Sequence, residues 1–267
     1  MSATRGEPPV SVLGAEPLEG RRIEETAAGV DLRLREWEAP GLITGITTAR
    51  AGNFGISTNG TDALLAAYGG LARRLGFGAV AVPRQVHGTD VQRVSGLGVT
   101  PGPEGAAQPV LLLAGRVDGL VTTRPGLLLA STAADCVPVF LRDHRARAVG
   151  LAHAGWRGVA GGILGRAVEV MIAAGAVRHA LEIHLGPAIC GACYEVDRPV
   201  LEALGLPGER ACVDLRGVLA TQAAAAGVRT VTVSAHCTRC GSAGLHSHRG
   251  SGGQAGRMAA FIGVAIA

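Results

Sequence analysis

The chain contains no lysine: all 25 of its basic residues are arginine, set against 21 acidic residues for a net charge of +4. So uniform a choice reads as coding bias more than partner selection, and arginine counts alone say little about function. Aromatic residues are scarce at 3%, which leaves few platforms for stacking bases, and with this modest charge a nucleic-acid binder is not expected. No apolar run is long enough to span a bilayer, the final AAFIGVAIA included. The opening MSATRGEPPVSVLG lacks the hydrophobic stretch of a secretory signal. No membrane attachment and a cytoplasmic location are therefore expected. In that compartment the six cysteines are expected as thiols, metal ligands or small buried residues rather than disulfides. Repeats and long low-complexity tracts are also missing. With 48% hydrophobic residues, the disordered and fibrous classes are excluded.

What remains is a globular chain of 267 residues, enough for one large domain. Residues 1–30, rich in Gly, Pro, Glu and Arg, read as a flexible lead-in, with an edge strand near Val30–Leu34. A single domain is expected over 31–267. Strands are predicted at 41–48, 79–83, 127–132, 137–141, 146–154, 181–186 and 230–234, from short β-branched or Leu-rich runs. Helices are predicted at 61–76, capped by Thr61, and at 158–174 and 214–226. Short strands with uneven connections suit an α+β mixed-sheet sandwich better than a regular doubly wound sheet.

Three segments share one design, an apolar strand running into a loop that bears a metal-ligand side chain. AVAVPRQVHG presents His87, LLLASTAADC presents Cys136, and AVGLAHAGWRG presents His153. Their spacing is not that of a zinc finger, so any shared site must be assembled by the fold; buried His or free Cys is the competing reading. Cys190-x-x-Cys193 and Cys237-x-x-Cys240 have the paired form of a tetrathiolate zinc site, with free buried thiols as the default.

The strings RQVHGTDV (84–91), DGLVTTRPGLLLASTAADCVPVFLRD (118–143), VGLAHAGWRG (149–158), LGPAICGACYEV (185–196), CTRC (237–240), HSHRG (246–250) and GRMAAFI (256–262) together resemble one family. It is the laccase-domain or polyphenol-oxidase-like family, also named peptidoglycan editing factor and purine nucleoside phosphorylase. The resemblance runs in order from about residue 41 to 262. It implies an α/β/β/α-like sandwich of the shape of a bacterial toxin cysteine deamidase. It also implies zinc held by His87, Cys136 and His153, with phosphorolysis of adenosine, inosine, guanosine and methylthioadenosine and deamination of adenosine. Two imidazoles and one thiolate leave a fourth position open, the pattern of a catalytic zinc.

For phosphate, Arg157 is the first choice, because HAGWRG runs into a predicted helix whose first amides face an anion. Arg50 and Arg249 match positions where the family also carries Arg; ordinary surface ion pairs are the alternative for each. Asp118 is a candidate acid or base, an orienting partner for a ligand His, or a loop cap. Asp135, next to Cys136, points to the opposite face if extended and is read as structural. Trp156 and Tyr194 read as packing residues before base-stacking ones. The chain departs from the family pattern at AGNFGIST (51–58) and at Leu245-His246-Ser247, which places an extra His246 at the expected pocket rim.

Three further readings stay open. A multicopper polyphenol oxidase needs several His-x-His pairs, and the chain has one, His246 and His248. A cysteine hydrolase or deamidase would use Cys136 as nucleophile with His153. A non-catalytic, cell-wall-associated factor would turn over nothing. The expected partners are purine nucleosides and phosphate, for a monomer or small homo-oligomer.

Overall fold

The computed structural model describes residues 12–13, 21–37, 39–55, 60–95, 109–143, 145 and 148–266. The strands are β1 (Val12–Leu13), β2 (Arg21–Ile23), β3 (Thr26–Ala28), β4 (Asp31–Arg33), β5 (Leu42–Thr47), β6 (Ala79–Pro83), β7 (Val91–Arg93), β8 (Val110–Ala114) and β9 (Gly119–Thr122). They continue as β10 (Leu127–Ala133), β11 (Val137–Asp143), β12 (Ala148–Ala154), β13 (Glu182–Leu185), β14 (Glu195–Asp197), β15 (Arg210–Val213), β16 (Thr230–Ser234) and β17 (Met258–Val264). Among the described residues five α-helices accompany them: α1 (Thr61–Arg74), α2 (Trp156–Ala160), α3 (Ile163–Ala173), α4 (Arg198–Ala203) and α5 (Leu215–Ala225).

Two seven-stranded mixed sheets stack face to face. One runs β3-β4-β5-β17-β10-β6-β8 and the other β2-β16-β13-β11-β12-β9-β7, with a small β1-β15-β14 sheet beside them. The central strands are apolar on both faces, and alternation along them builds the layers. Leu127 and Leu129 of β10 pack between the sheets with Phe140 and Leu151, whereas Leu128 and Ala130 pack outward with Leu71 and Tyr68 of α1. On the far side, Val139 and Leu141 of β11 face Leu164, Val168 and Met171 of α3 and Leu219 of α5. The layers are therefore α/β/β/α, as the resemblance implies.

Three local expectations are corrected. The helix over 158–174 is broken into α2 and α3 at Gly161 and Gly162, the latter at φ 82°. A Cβ on Gly161 would lie 2.6 Å from Thr89 Cγ2, so the break lets the loop before β7 approach. Gly60, not Thr61, caps α1. The strand expected at Val30–Leu34 is β4, and it is not an edge, because β3 pairs outside it.

β3 and β2 come from the segment read as a flexible lead-in. A turn of polar composition conceals one buried anchor there: Glu25 accepts from Ser234 Oγ at 2.7 Å and lies 2.9 Å from His184 Nε2. Burial opposes its charge, but these partners outweigh it and hold the Glu25 carboxyl below its usual range. Residues 1–11 and 14–20 lie outside the described residues.

Candidate metal centre

His87, Cys136 and His153 come from three strand ends that the topology brings to one point. β6 ends at Pro83, and its successor loop is clamped sideways onto β10: Gln85 Nε2 donates to Thr132 O at 2.9 Å and Gln85 Oε1 accepts from Thr132 N at 2.9 Å. His87 follows in a left-handed turn, φ 58°, rare for a residue with a Cβ. Three amides sustain that strain by pointing at one buried carboxylate. Val86 N, His87 N and Gly88 N donate to Asp118 at 3.1, 2.9 and 2.7 Å.

The same carboxylate lies 3.0 Å from His153 Nδ1, and the Asp118 carbonyl accepts from His153 N at 2.7 Å. With Nδ1 engaged, His153 presents Nε2 to the site, the usual way a carboxylate orients a ligand imidazole. Asp118 itself is buried, and its carboxylate contacts are the His153 ring and the three loop amides. Burial would raise the Asp118 carboxyl, but His153 and the amides of Gly88 and Val86 hold it below the usual range.

Cys136 stands in the sharp turn just ahead of β11. Asp135 stands at φ 87° and clasps two loops, accepting from Thr238 Oγ1 at 2.6 Å and from Arg249 N at 2.6 Å. The ligand atoms of His87, Cys136 and His153 lie within 4.8 Å of one another. The two imidazole rings meet edge to face at 4.8 Å. Gly155 keeps the cradle open: a Cβ there would lie 3.0 Å from Cys136 Sγ and 3.1 Å from His87 Cδ2. Burial alone would raise the Cys136 thiol, but His153 and His87 bring it down to about 6. His153 moves the other way, to about 9, because Cys136 and Asp118 outweigh its burial. A thiolate, two imidazoles and a cradle kept clear by Gly155 form a donor set that fits a divalent metal ion.

The three donors sit on the wall of a cavity of about 790 Å³, within the range of small-ligand pockets. Arg84, Arg116, Arg257 and His248 line it too. Arg84 and Arg116 leave the ends of the parallel neighbours β6 and β8 together, with Arg84 N donating to Gly115 O at 3.2 Å. Among the described residues neither guanidinium has an ion-pair or hydrogen-bond partner.

The arginines chosen from sequence do not line this cavity; Arg157 and Arg249 gather around Tyr194, which also neighbours Cys136. Arg157 is exposed on the five-residue α2, its guanidinium 4.2 Å over the Trp156 ring. Arg249 donates to Glu195 O at 2.8 Å and lies 5.2 Å from the Tyr194 ring. Arg50 is exposed in the 3₁₀ turn Ala49–Ala51. None of the three lines the cavity. Arg84 and Arg257 were within reach of sequence reasoning, since they stand inside the RQVHG and GRMAAFI strings; Arg116 carried no signal.

Both departures from the family pattern meet at one place. Asn53 and His246 flank Gly256, where a Cβ would lie 2.9 Å from His246 Nε2 and 3.1 Å from Asn53 Cγ, and Asn53 Oδ1 accepts from Arg257 N at 2.9 Å. It is His248, and not His246, that lines the cavity. Residues 56–59 of the first departure lie outside the described residues. Trp156 and Tyr194 are half-buried against the helix-side core.

Residues 47–265 match the family described as multi-copper polyphenol oxidoreductase laccase. Among curated relatives, the "Purine nucleoside phosphorylase YlmD" of Geobacillus stearothermophilus is 40% identical over 197 residues, 67% of this chain and 70% of that one. The "Adenosine deaminase RL5" of an unknown prokaryotic organism is 36% identical over 163 residues, 55% of this chain and 62% of that one. The crystal structure of YlmD from Geobacillus stearothermophilus superposes with a TM-score of 0.77 at 33% identity, covering 92% of this chain and all of that one.

Proposed function

The chain belongs to the laccase-like polyphenol oxidoreductase family, and on that premise we propose that it is a zinc-dependent purine nucleoside phosphorylase that also deaminates adenosine. Adenosine, inosine, guanosine and methylthioadenosine are its substrates, with phosphate. One observation carries the reading: three donors, His87, Cys136 and His153, share a wall of a nucleoside-sized cavity with Arg84 and Arg116, which have no ion-pair partner among the described residues. When bound there, zinc supplies a Lewis acid. Asp118 holds His153 in the orientation that a metal ligand needs, and Gly155 keeps the cradle free.

Phosphorolysis breaks the bond between ribose C1′ and the purine and joins a phosphate oxygen to C1′. Arg84 and Arg116 hold that phosphate, because they line the same cavity and have no carboxylate partner among the described residues. Arg157, stacked on Trp156, takes the lesser part. Deamination replaces the 6-amino group by water and releases ammonia, and needs no phosphate.

Chromatography of products from zinc-loaded protein and adenosine tests the proposal. Adenine is expected only with phosphate present, inosine with or without it, and neither from Cys136→Ser. Arg84→Ala or Arg116→Ala is expected to slow phosphorolysis by roughly 10²-fold while sparing deamination. Absence of free base at any phosphate concentration overturns the phosphorylase reading.

A second reading rests on the chain Cys136–His153–Asp118, which has the order of a nucleophile, its base and an orienting carboxylate. A hydrolase of that kind gains activity when its metal is stripped by a chelator. The phosphorylase loses it.

A further inference from the structure

The reaction proposed above uses neither Cys-x-x-Cys pair, yet the fold collects all four of their thiols. β13 and β16 are parallel neighbours with Leu185 opposite Val233, so both chains leave the sheet at the same end. Pairing persists beyond the strands as a bridge between Ala188 and Cys237, with Thr238 N donating to Ala188 O at 3.1 Å. Each strand end then delivers one pair. The first closes a 3₁₀ turn at Gly191–Cys193, with Cys193 N donating to Cys190 O at 3.0 Å. The second closes at Gly241, whose N donates to Cys237 O at 3.1 Å; a Cβ there would lie 2.4 Å from that oxygen, so only glycine makes this turn.

The four sulfurs lie within 4.8 Å of one another, and Cys190 Sγ is 3.9 Å from Cys240 Sγ. Tetrahedral zinc with Zn–S near ~2.3 Å sets its sulfurs about 3.8 Å apart, whereas a disulfide needs about 2.05 Å. The arrangement matches the first. Cys190 N at 3.3 Å and Cys240 N at 3.4 Å both donate to Cys237 Sγ, hydrogen bonds that stabilise a metal-bound thiolate from outside the ligand shell. Arg239, donating to Cys193 O at 3.1 Å, sets a cation beside the cluster.

We propose that Cys190, Cys193, Cys237 and Cys240 form a second, closed tetrathiolate site that takes zinc, separate from His87, Cys136 and His153. With no open position it is structural. It would fasten the 189–194 segment to the 237–240 segment. Those segments grip Asp135 through Ile189 N to Asp135 O at 3.1 Å and Thr238 Oγ1, so the clamp steadies the turn ahead of Cys136.

Elemental analysis of protein purified under reducing conditions and supplied with zinc alone tests this. Two equivalents are expected in the natural chain, and one each in Cys240→Ser, Cys193→Ser and Cys136→Ser. The doubly substituted Cys136→Ser/Cys240→Ser is expected to hold none. Refilling Cys136→Ser with cobalt should give the intense thiolate-to-cobalt absorption of a tetrathiolate centre, absent from Cys240→Ser. A natural chain with one equivalent that Cys240→Ser retains overturns the proposal, as does an intact mass showing these cysteines paired in disulfides. Cys240 is exposed, so its substitution leaves the core intact. Failure of Cys136→Ser to lose metal bears on the first site alone.

Discussion

Asp118 shows how one residue can organise a site it never enters. Its two oxygens answer three loop amides and one imidazole, so removing them frees both the strained turn at His87 and the orientation of His153. Asp118→Ala is therefore expected to weaken zinc binding at least 10–100-fold, about the range for lost outer partners of ligand histidines. Competition against a chromophoric chelator measures it, and unchanged affinity would show His153 to be held by packing alone. His87, Cys136 and His153 were legible as a set through the family strings that carry them, whereas their spacing alone left buried His and free Cys open. For Asp118 an orienting role was among the readings, but its hold on the amides of 86–88 was not, since nothing local ties residue 118 to them. Arg116 was missed for a related reason: outside any such string, an arginine tells of its surroundings only when its neighbours in space are known.

Strands and helices were largely legible from their apolar periodicity, and the misses came where single residues overrule the pattern. Glycines 161 and 162 split one apolar run into two helices, and buried Glu25 turns a polar lead-in into part of two sheets. Glu25→Ala leaves His184 and Ser234 facing an empty buried site, at a cost of about 3 kcal/mol. The folded carboxyl titrates below its ordinary value of 4.5, so its contribution is present above that pH and lost as pH falls below it. The variant is thus expected to melt roughly 8 °C lower at pH 7, with the gap closing below pH 4.5. Thermal melts across pH 3–8 measure this; a gap constant with pH would mean that the carboxylate's charge adds nothing.

On the scale of the whole molecule, the site belongs to neither sheet. His87 follows β6 in one sheet, His153 lies on β12 in the other, and Cys136 stands where the chain crosses between them from β10 to β11. The resemblance implied that the three residues meet, but not that they meet from two different sheets, because strand patterns do not say which ends adjoin. A metal held by all three donors ties the two layers together and binds only the folded chain, so it should stabilise the entire sandwich by mass action. At free zinc a hundredfold above the dissociation constant the gain is about 2.7 kcal/mol, or roughly 5–10 °C for a chain of this size. Cys240→Ser isolates the effect by leaving only this site. Calorimetry of that variant should show one transition that zinc raises and a chelator lowers, and no shift once Cys136→Ser is added. If zinc raised only a minor early transition, the metal would be fastening a loop and not joining the two sheets. An equal shift in the double variant would place the stabilising ion elsewhere.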